Sequence, residues 1–134
     1  MAGTLVDANI LLDIFTEDDE WFDWSASMLE EAAHAGRLYI NPIIYAEASA
    51  RFATIEELDE ALPPEYYQRA DLPWAAGFLA GQAYLRYRKG GGNRRSPLAD
   101  FYIGAHAAVS GLTLLTRDPK RYRGYFPTVR LMAP

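Results

Sequence analysis

The feature that most constrains the fold is an alternation of short strand-like and longer helix-like segments along the 134 residues. Short apolar runs that are typical of buried strands fall at residues 3–6, 37–40, 112–116 and 128–132. Strands that alternate with helices predict a three-layer α/β/α sandwich with a mostly parallel central sheet. We expect the whole chain, residues 1–134, to form a single domain, because one core suits this length.

Apolar residues at helical spacing, together with capping residues, predict the helices between these strands. The predicted helices cover residues 8–12, 21–35, 42–52, 55–62, 74–89 and 96–110. The last of these helices has the clearest boundaries: Ser96 is a candidate N-cap, Pro97 suits the first helical position, and Gly111 is a typical terminator. It also carries a stripe of small residues suited to close packing, formed by Gly104 and its helical neighbours.

Composition excludes several classes of protein. The chain has no cysteine, so it can form neither disulfides nor thiolate metal sites. Its longest charge-free stretches, 72–85 and 101–116, are shorter than the roughly 18 residues that a membrane span needs. The first basic residue is Arg37, so the N-terminus lacks the charged start of a secretory signal. We therefore expect a cytoplasmic protein that does not enter the membrane.

The charged residues are distributed unevenly along the chain. Residues 1–71 carry 16 of the 18 acidic and 3 of the 13 basic residues, whereas residues 72–134 carry 10 basic residues and only two acids, Asp100 and Asp118. Nine of the basic residues fall in two windows, 86–95 and 117–123; the two windows flank Asp100, and the second contains Asp118. Acids surrounded by arginines suit a site in which metal ions occupy the centre and a phosphate backbone is held at the rim.

Four acidic residues from four separate segments can converge on one site. Asp7 and Asp118 follow the carboxyl ends of two predicted strands, Glu47 lies in the helix after the second strand, and Asp100 lies near the start of the helix that leads into the third. Open α/β sheets place their sites at this edge. Carboxylates held close together repel unless a cation lies among them, and hard oxygen ligands favour Mg²⁺ or Mn²⁺. Such an ion lowers the pKa of bound water and polarises a phosphodiester.

Each acid also has a simpler structural explanation. Asp7 is a suitable helix N-cap, although Asn9 could serve equally. Asp100 could stabilise the helix dipole from the first turn. Glu47 could form an ion pair with Arg51 one helical turn later. The residues alone leave these alternatives open.

Four sequence blocks resemble the motifs of PIN-domain ribonucleases, and most closely those of the virulence-associated protein C toxins of bacterial toxin–antitoxin pairs. The blocks are VDANILLD at 6–13, INPIIYAE at 40–47, SPLADFYIGAHA at 96–107 and LLTRDPKRYRGYFP at 114–127. The resemblance implies a metal-dependent endoribonuclease whose catalytic and metal-binding acids are Asp7, Glu47, Asp100 and Asp118. It further implies a cognate antitoxin that covers the cleft, and a homodimer.

Six further positions enter this prediction. By the same resemblance, Asn9 and Thr116 match polar positions that support the site, and Arg121 stands where some relatives carry another acid. Arg94, Arg95 and Arg117 are candidates for contacts with RNA, although the glycine-rich loop at 90–95 could equally be a plain connector.

Two other functions are compatible with an α/β sandwich. A non-catalytic RNA-binding or adaptor domain would keep the fold, but it would have no need of four acids. A phosphoacceptor signalling domain would need adjacent acids after the first strand and a lysine near the last one. Here Asp7 is followed by Ala8 and Asn9, so this alternative is the weaker of the two.

Overall fold

The computed structural model of the protein describes residues 3–91 and 98–134. Within these residues, five strands form one sheet that is parallel throughout, and helices flank it in the predicted α/β/α sandwich. The strands are β1 (Thr4–Val6), β2 (Leu38–Ile40), β3 (Tyr67–Arg69), β4 (Thr113–Leu115) and β5 (Leu131–Met132). The helices are α1 (Ala8–Phe15), α2 (Phe22–Ala35), α3 (Pro42–Ser49), α4 (Ile55–Ala61), α5 (Trp74–Lys89), α6 (Leu98–Ser110) and α7 (Lys120–Tyr125).

The strand order is β3–β2–β1–β4–β5, which places β1 at the centre of the sheet. Strand β1 pairs with β4 so that Val6 lies opposite Leu115. Their successors, Asp7 and Thr116, therefore leave the sheet side by side, and the Asp7 amide donates to the Leu115 carbonyl at 2.9 Å. The register of the two central strands thus brings two distant segments of the chain to one edge.

The core lies on both faces of the central strands. Leu5, Val6, Leu114 and Leu115 are completely buried, as expected for strands that helices cover on both sides. Each fully buried aliphatic side chain contributes roughly 1.5–3 kcal/mol relative to an exposed one. Next to the strands, the ring of Phe101 on α6 packs edge-on against Tyr125 at a centroid distance of 5.2 Å. This contact fixes the first turn of α6 against α7.

Two elements were not predicted from the sequence. Strand β3 has the polar sequence YQR, and only its pairing with β2 makes it a strand. Helix α7 is a six-residue helix in a segment that is rich in basic residues. Some boundaries also differ from the prediction: α3 ends at Ser49 instead of residue 52, and β5 is limited to two residues. The sheet is wholly rather than mostly parallel in the described residues.

The local signals at helix ends were more reliable. Thr54 accepts a hydrogen bond from the Glu57 amide at the start of α4, which is one half of the predicted capping box, while the Glu57 carboxylate accepts from the Ala53 amide one residue earlier. Gly111 has φ = +65° after α6, the left-handed conformation that favours glycine. The predicted cap at Ser96 and Pro97 lies outside the described residues. No helix in the described part of the chain is long and apolar enough to span a membrane.

Candidate active site

Asp7 lies at the carboxyl end of β1 and is only 4% exposed. Its Oδ1 accepts from the Ala8 amide at 2.8 Å, so Asp7 does cap α1. Its Oδ2 accepts from two hydroxyl groups, that of Thr116 at 2.8 Å and that of Tyr122 at 3.1 Å. The capping role and the site role are therefore divided between the two oxygens of one carboxylate, and the cap does not exclude the site.

Thr116 connects the two central strand ends. Its side chain is completely buried. While its hydroxyl donates to Asp7, its oxygen accepts from the Asn9 amide group at 3.3 Å and from the Asp118 backbone N–H at 3.1 Å. Asn9 completes the network by accepting from the Arg117 backbone N–H at 3.2 Å. These bonds hold Asp118 in place relative to Asp7.

The four predicted acids line one cavity. Its volume is about 230 Å³, and its wall is formed by Asp7, Ala8, Asn9, Leu12, Glu47, Asp100, Asp118 and Tyr122. Glu47 reaches the cavity from α3, Asp100 from the first turn of α6, and Asp118 from the segment between β4 and α7. The structure thus brings together four carboxylates that are separated by up to 111 residues in the chain.

Burial and nearby negative charge make three of these acids, Asp7, Glu47 and Asp100, reluctant to ionise. Burial raises the pKa of Asp7 to about 6; the Thr116 hydrogen bond opposes the rise, and the charge of Asp100 adds to it. Burial also raises the pKa of Glu47 to about 7, and the charges of Asp7 and Asp100 contribute to this increase. For Asp100, burial raises the pKa although the Arg121 guanidinium opposes the change. Such groups gain most from a bound cation.

The donor set suits a hard divalent cation. Four carboxylates around one cavity, with no thiolate and a polar hydroxyl network behind them, match the oxygen ligands of Mg²⁺ or Mn²⁺. Within residues 3–91 and 98–134, however, no three of the acidic or histidine side chains are arranged to hold one ion together. Asp100 instead contacts Arg121, with Nη1 and Oδ2 2.8 Å apart. A metal would have to draw the carboxylates closer and compete with this ion pair.

Arg117, one of the candidates for contact with RNA, already has an acidic partner. The guanidinium of Arg117 forms two hydrogen bonds with the buried carboxylate of Asp13, at 2.9 and 3.0 Å, and lies 5.3 Å from the Trp21 ring. The two described side chains Glu47 and Arg51 form no ion pair, so the simpler explanation for Glu47 lacks its contact. Arg94 and Arg95 lie outside the described residues.

Sequence reasoning missed two residues of α7. Tyr122 is 2% exposed and donates to Asp7, and its pKa is well above the usual value because of burial and the nearby charges of Asp7 and Asp100. The sequence motif marks Arg121 only as a departure from the acid that some relatives carry. The spacing of Tyr122 and Phe126 at i and i+4 after Pro119 could have indicated a short helix with one apolar face.

The fold and the cavity together define an α/β/α domain with an acidic site at the carboxyl edge of a parallel sheet. The chain belongs to the PIN-domain family, which matches residues 4–126. No curated protein matches the sequence at a significant level.

Solved structures with a similar fold come from toxin–antitoxin complexes. One is VapBC2 from Rickettsia felis bound to a DNA fragment from its promoter, with a TM-score of 0.73, 18% identity and 98% of each chain covered. A second is DNA-bound VapBC from Salmonella typhimurium, with a TM-score of 0.71, 17% identity, and 99% of this chain and 98% of that chain covered. A third is a toxin–antitoxin complex from Klebsiella pneumoniae, with a TM-score of 0.67, 22% identity and 95% of each chain covered.

Proposed function

We propose that this PIN-domain protein is a metal-dependent endoribonuclease, with Asp7, Glu47, Asp100 and Asp118 as its catalytic and metal-binding residues. The observation that carries this proposal is the convergence of four acids from four segments on one cavity. Two of these acids have pKa values raised toward neutrality, which is typical of groups arranged for a cation or for catalysis.

The chemistry follows from the donor set. A Mg²⁺ or Mn²⁺ ion bound by these acids would activate a water molecule and stabilise the leaving oxygen of an RNA phosphodiester. The chain's own residues prepare the site: Thr116 and Tyr122 orient Asp7 through its Oδ2, and Asn9 holds the segment that carries Asp118. The basic residues at 86–95 and 117–123 lie close to Asp100 and Asp118 in the sequence and supply charge for a phosphate backbone.

The first prediction is that Asp100→Asn abolishes RNA cleavage while fold and RNA binding persist. The substitution removes a negative charge from the cavity but changes almost no volume. The matched control is Asp19→Asn, the same chemical change at an exposed position outside the cavity. Cleavage of a mixed RNA substrate is measured with Mn²⁺, with Mg²⁺ and with chelator, and circular dichroism reports folding.

Wild-type turnover by Asp100→Asn would refute the site assignment. If the wild-type protein binds RNA but cleaves none under every metal condition, the result would instead favour the non-catalytic adaptor. Cleavage that survives exhaustive chelation would refute the metal requirement.

We further propose that the protein is the toxin of a toxin–antitoxin pair and forms a homodimer. Support comes from PIN-family membership and from the sequence resemblance to virulence-associated protein C; the structural neighbours add the shared fold. An antitoxin that places an arginine or lysine among the carboxylates would gain charge-assisted hydrogen bonds. Co-expression with the product of an adjacent small reading frame should relieve growth arrest, and light scattering should give the mass of a dimer for the toxin alone.

A further inference from the structure

Arg121 is a cation that pairs with Asp100, one of the acids that line the acidic cavity. It lies in the first turn of α7, and its Nη1 is 2.8 Å from Oδ2 of Asp100. Both side chains are partly exposed, at 30% and 28%. The guanidinium also lies over two aromatic rings, 5.5 Å from the centroid of Tyr87 and 6.0 Å from that of Phe101. These rings hold the guanidinium near Asp100 without burying it.

A second cavity adjoins the acidic one. Its volume is about 420 Å³, and it is lined by Tyr87, Asp118, Lys120, Arg121, Gly124 and Tyr125. Asp118 contributes to both cavities. The wall of the second cavity carries two cationic side chains, Lys120 and Arg121, against the single carboxylate of Asp118, so its net charge is positive whereas that of the first cavity is negative. Arg121 therefore stands between an acidic cavity and a cationic one.

A divalent ion and the guanidinium of Arg121 need the same oxygens. The ion pair occupies Oδ2 of Asp100, one of the few atoms with which α6 can ligate a metal in the cavity. Cations that share one carboxylate must compete, because each gains its energy from the same negative charge. The pair is exposed enough to break at modest cost.

We propose that Arg121 competes with the divalent metal for Asp100, and that metal binding releases its guanidinium into the adjoining cavity, where it contacts a phosphate of the RNA. This inference rests on the proposed function and extends it to a residue outside the acid quartet. In the metal-free protein, Arg121 neutralises Asp100. In the metal-bound protein, it stands beside Lys120 as a second positive charge for the substrate backbone.

The first test measures metal affinity alone, by calorimetric titration of Mn²⁺ into RNA-free protein. Arg121→Ala should bind Mn²⁺ roughly fivefold more tightly than wild type, the effect of removing one partly exposed ion pair. Lys120→Ala is the matched control, since it removes the same charge from the same helix and cavity but has no ion pair with Asp100; its affinity should stay within about twofold of wild type. Arg121→Gln serves as a second variant if the alanine variant is poorly folded.

Unchanged or weaker Mn²⁺ binding by the Arg121 variants would overturn the competition. An equal gain in Mn²⁺ affinity in Lys120→Ala would also overturn it, because the gain would then come from removing any positive charge near the site. Absence of Mn²⁺ binding in every variant would also overturn it. If only the Arg121 variants bind Mn²⁺ more tightly and the wild-type protein cleaves no RNA, the competition is supported and the nuclease proposal fails.

The second test measures binding of a non-cleavable 2′-O-methyl RNA at several salt concentrations. With Mn²⁺, Arg121→Ala should reduce the magnitude of the slope of log affinity against log salt by about 1, the contribution of one phosphate contact. In chelator the variant and the wild type should show equal slopes, because Asp100 then holds the guanidinium. A smaller slope under both conditions would show that Arg121 contacts RNA without being released by metal. An unchanged slope under both would refute the phosphate contact.

Discussion

At the scale of single residues, Gly104 shows how closely α6 packs against the segment that follows α7. A Cβ atom at this position would collide with the ring of Phe126, which is itself 4% exposed. We predict that Gly104→Ala destabilises the protein by about 2 kcal/mol, since overpacking costs more than the gain in helix propensity returns. Urea unfolding at constant pH measures this difference.

Gly81→Ala provides the control for Gly104. Gly81 also lies inside a helix, but no atom stands within 4 Å of the added Cβ. Its replacement should be neutral or stabilise by roughly 0.5–1 kcal/mol. Equal effects at the two positions would show that the ring of Phe126 moves aside freely.

At the scale of elements, an ion pair anchors the segment between β4 and α7. The carboxylate of Asp13 on α1 is 2% exposed, accepts from the Ser25 hydroxyl at 2.7 Å and binds the guanidinium of Arg117 through both oxygens. We predict that Arg117→Ala costs about 3 kcal/mol, because it leaves a buried carboxylate without its cation. Asp13→Asn should cost less, since the partly exposed guanidinium can regain water.

A double-mutant cycle in urea tests this asymmetry. Additive effects of Asp13→Asn and Arg117→Ala would show that the pair contributes no coupling energy. Because Arg117 already pairs with Asp13, weaker RNA binding by Arg117→Ala could result from loss of folding stability. Arg123→Ala is the control, since it removes the same charge from an exposed position on the neighbouring helix.

At the scale of the whole molecule, the acidic cavity couples stability to pH. The folded protein raises the pKa of Asp7 from 3.8 to about 6 and that of Glu47 from 4.5 to about 7. Because the folded state holds these protons more tightly than the unfolded chain, stability from these groups is complete below pH 4 and is lost as pH rises toward 7. In chelator, wild type and Glu47→Gln should therefore be equally stable at pH 4. At pH 8 the variant should be more stable by about 1 kcal/mol.

Bound metal should reverse the order of stability, so that wild type is more stable than Glu47→Gln. Mn²⁺ at about 100 times its dissociation constant stabilises a folded protein by roughly 2.7 kcal/mol, and Glu47→Gln should gain less because it has lost a ligand charge. Thermal unfolding at fixed ionic strength measures both effects. A pH-independent difference between the two proteins would mean that folding does not raise the pKa of Glu47, either by burial or by the charges of the other carboxylates.

Much of the fold could be predicted from local signals. Apolar runs and helical spacing identified β1, β2, β4 and the long helices, because strands buried between two helical layers must be apolar. Glycine in the left-handed conformation ended α6 at the predicted place. The order of four acids relative to strand ends indicated a common edge, since parallel strands present their carboxyl ends together.

Other features depend on contacts between distant segments. Strand β3 has no apolar run, and it is a strand because its backbone groups pair with those of β2. Helix α7 is too short for periodicity to identify, yet it supplies both Tyr122 to Asp7 and Arg121 to Asp100. These pairs span 115 and 21 residues of sequence, and spacing along the chain carries no information about such distances.

From the order of residues alone it was possible to say which residues carry charge, which segments must be buried, and that four carboxylates could meet at one edge of a parallel sheet. Packing in three dimensions was needed to show that Asp7 divides its two oxygens between a helix cap and the hydroxyls of Thr116 and Tyr122, and that Arg121 pairs with Asp100. The physical reason is that burial and hydrophobic pattern act locally along each element. Hydrogen bonds and ion pairs, in contrast, form only at the short distances that packing of the whole chain creates.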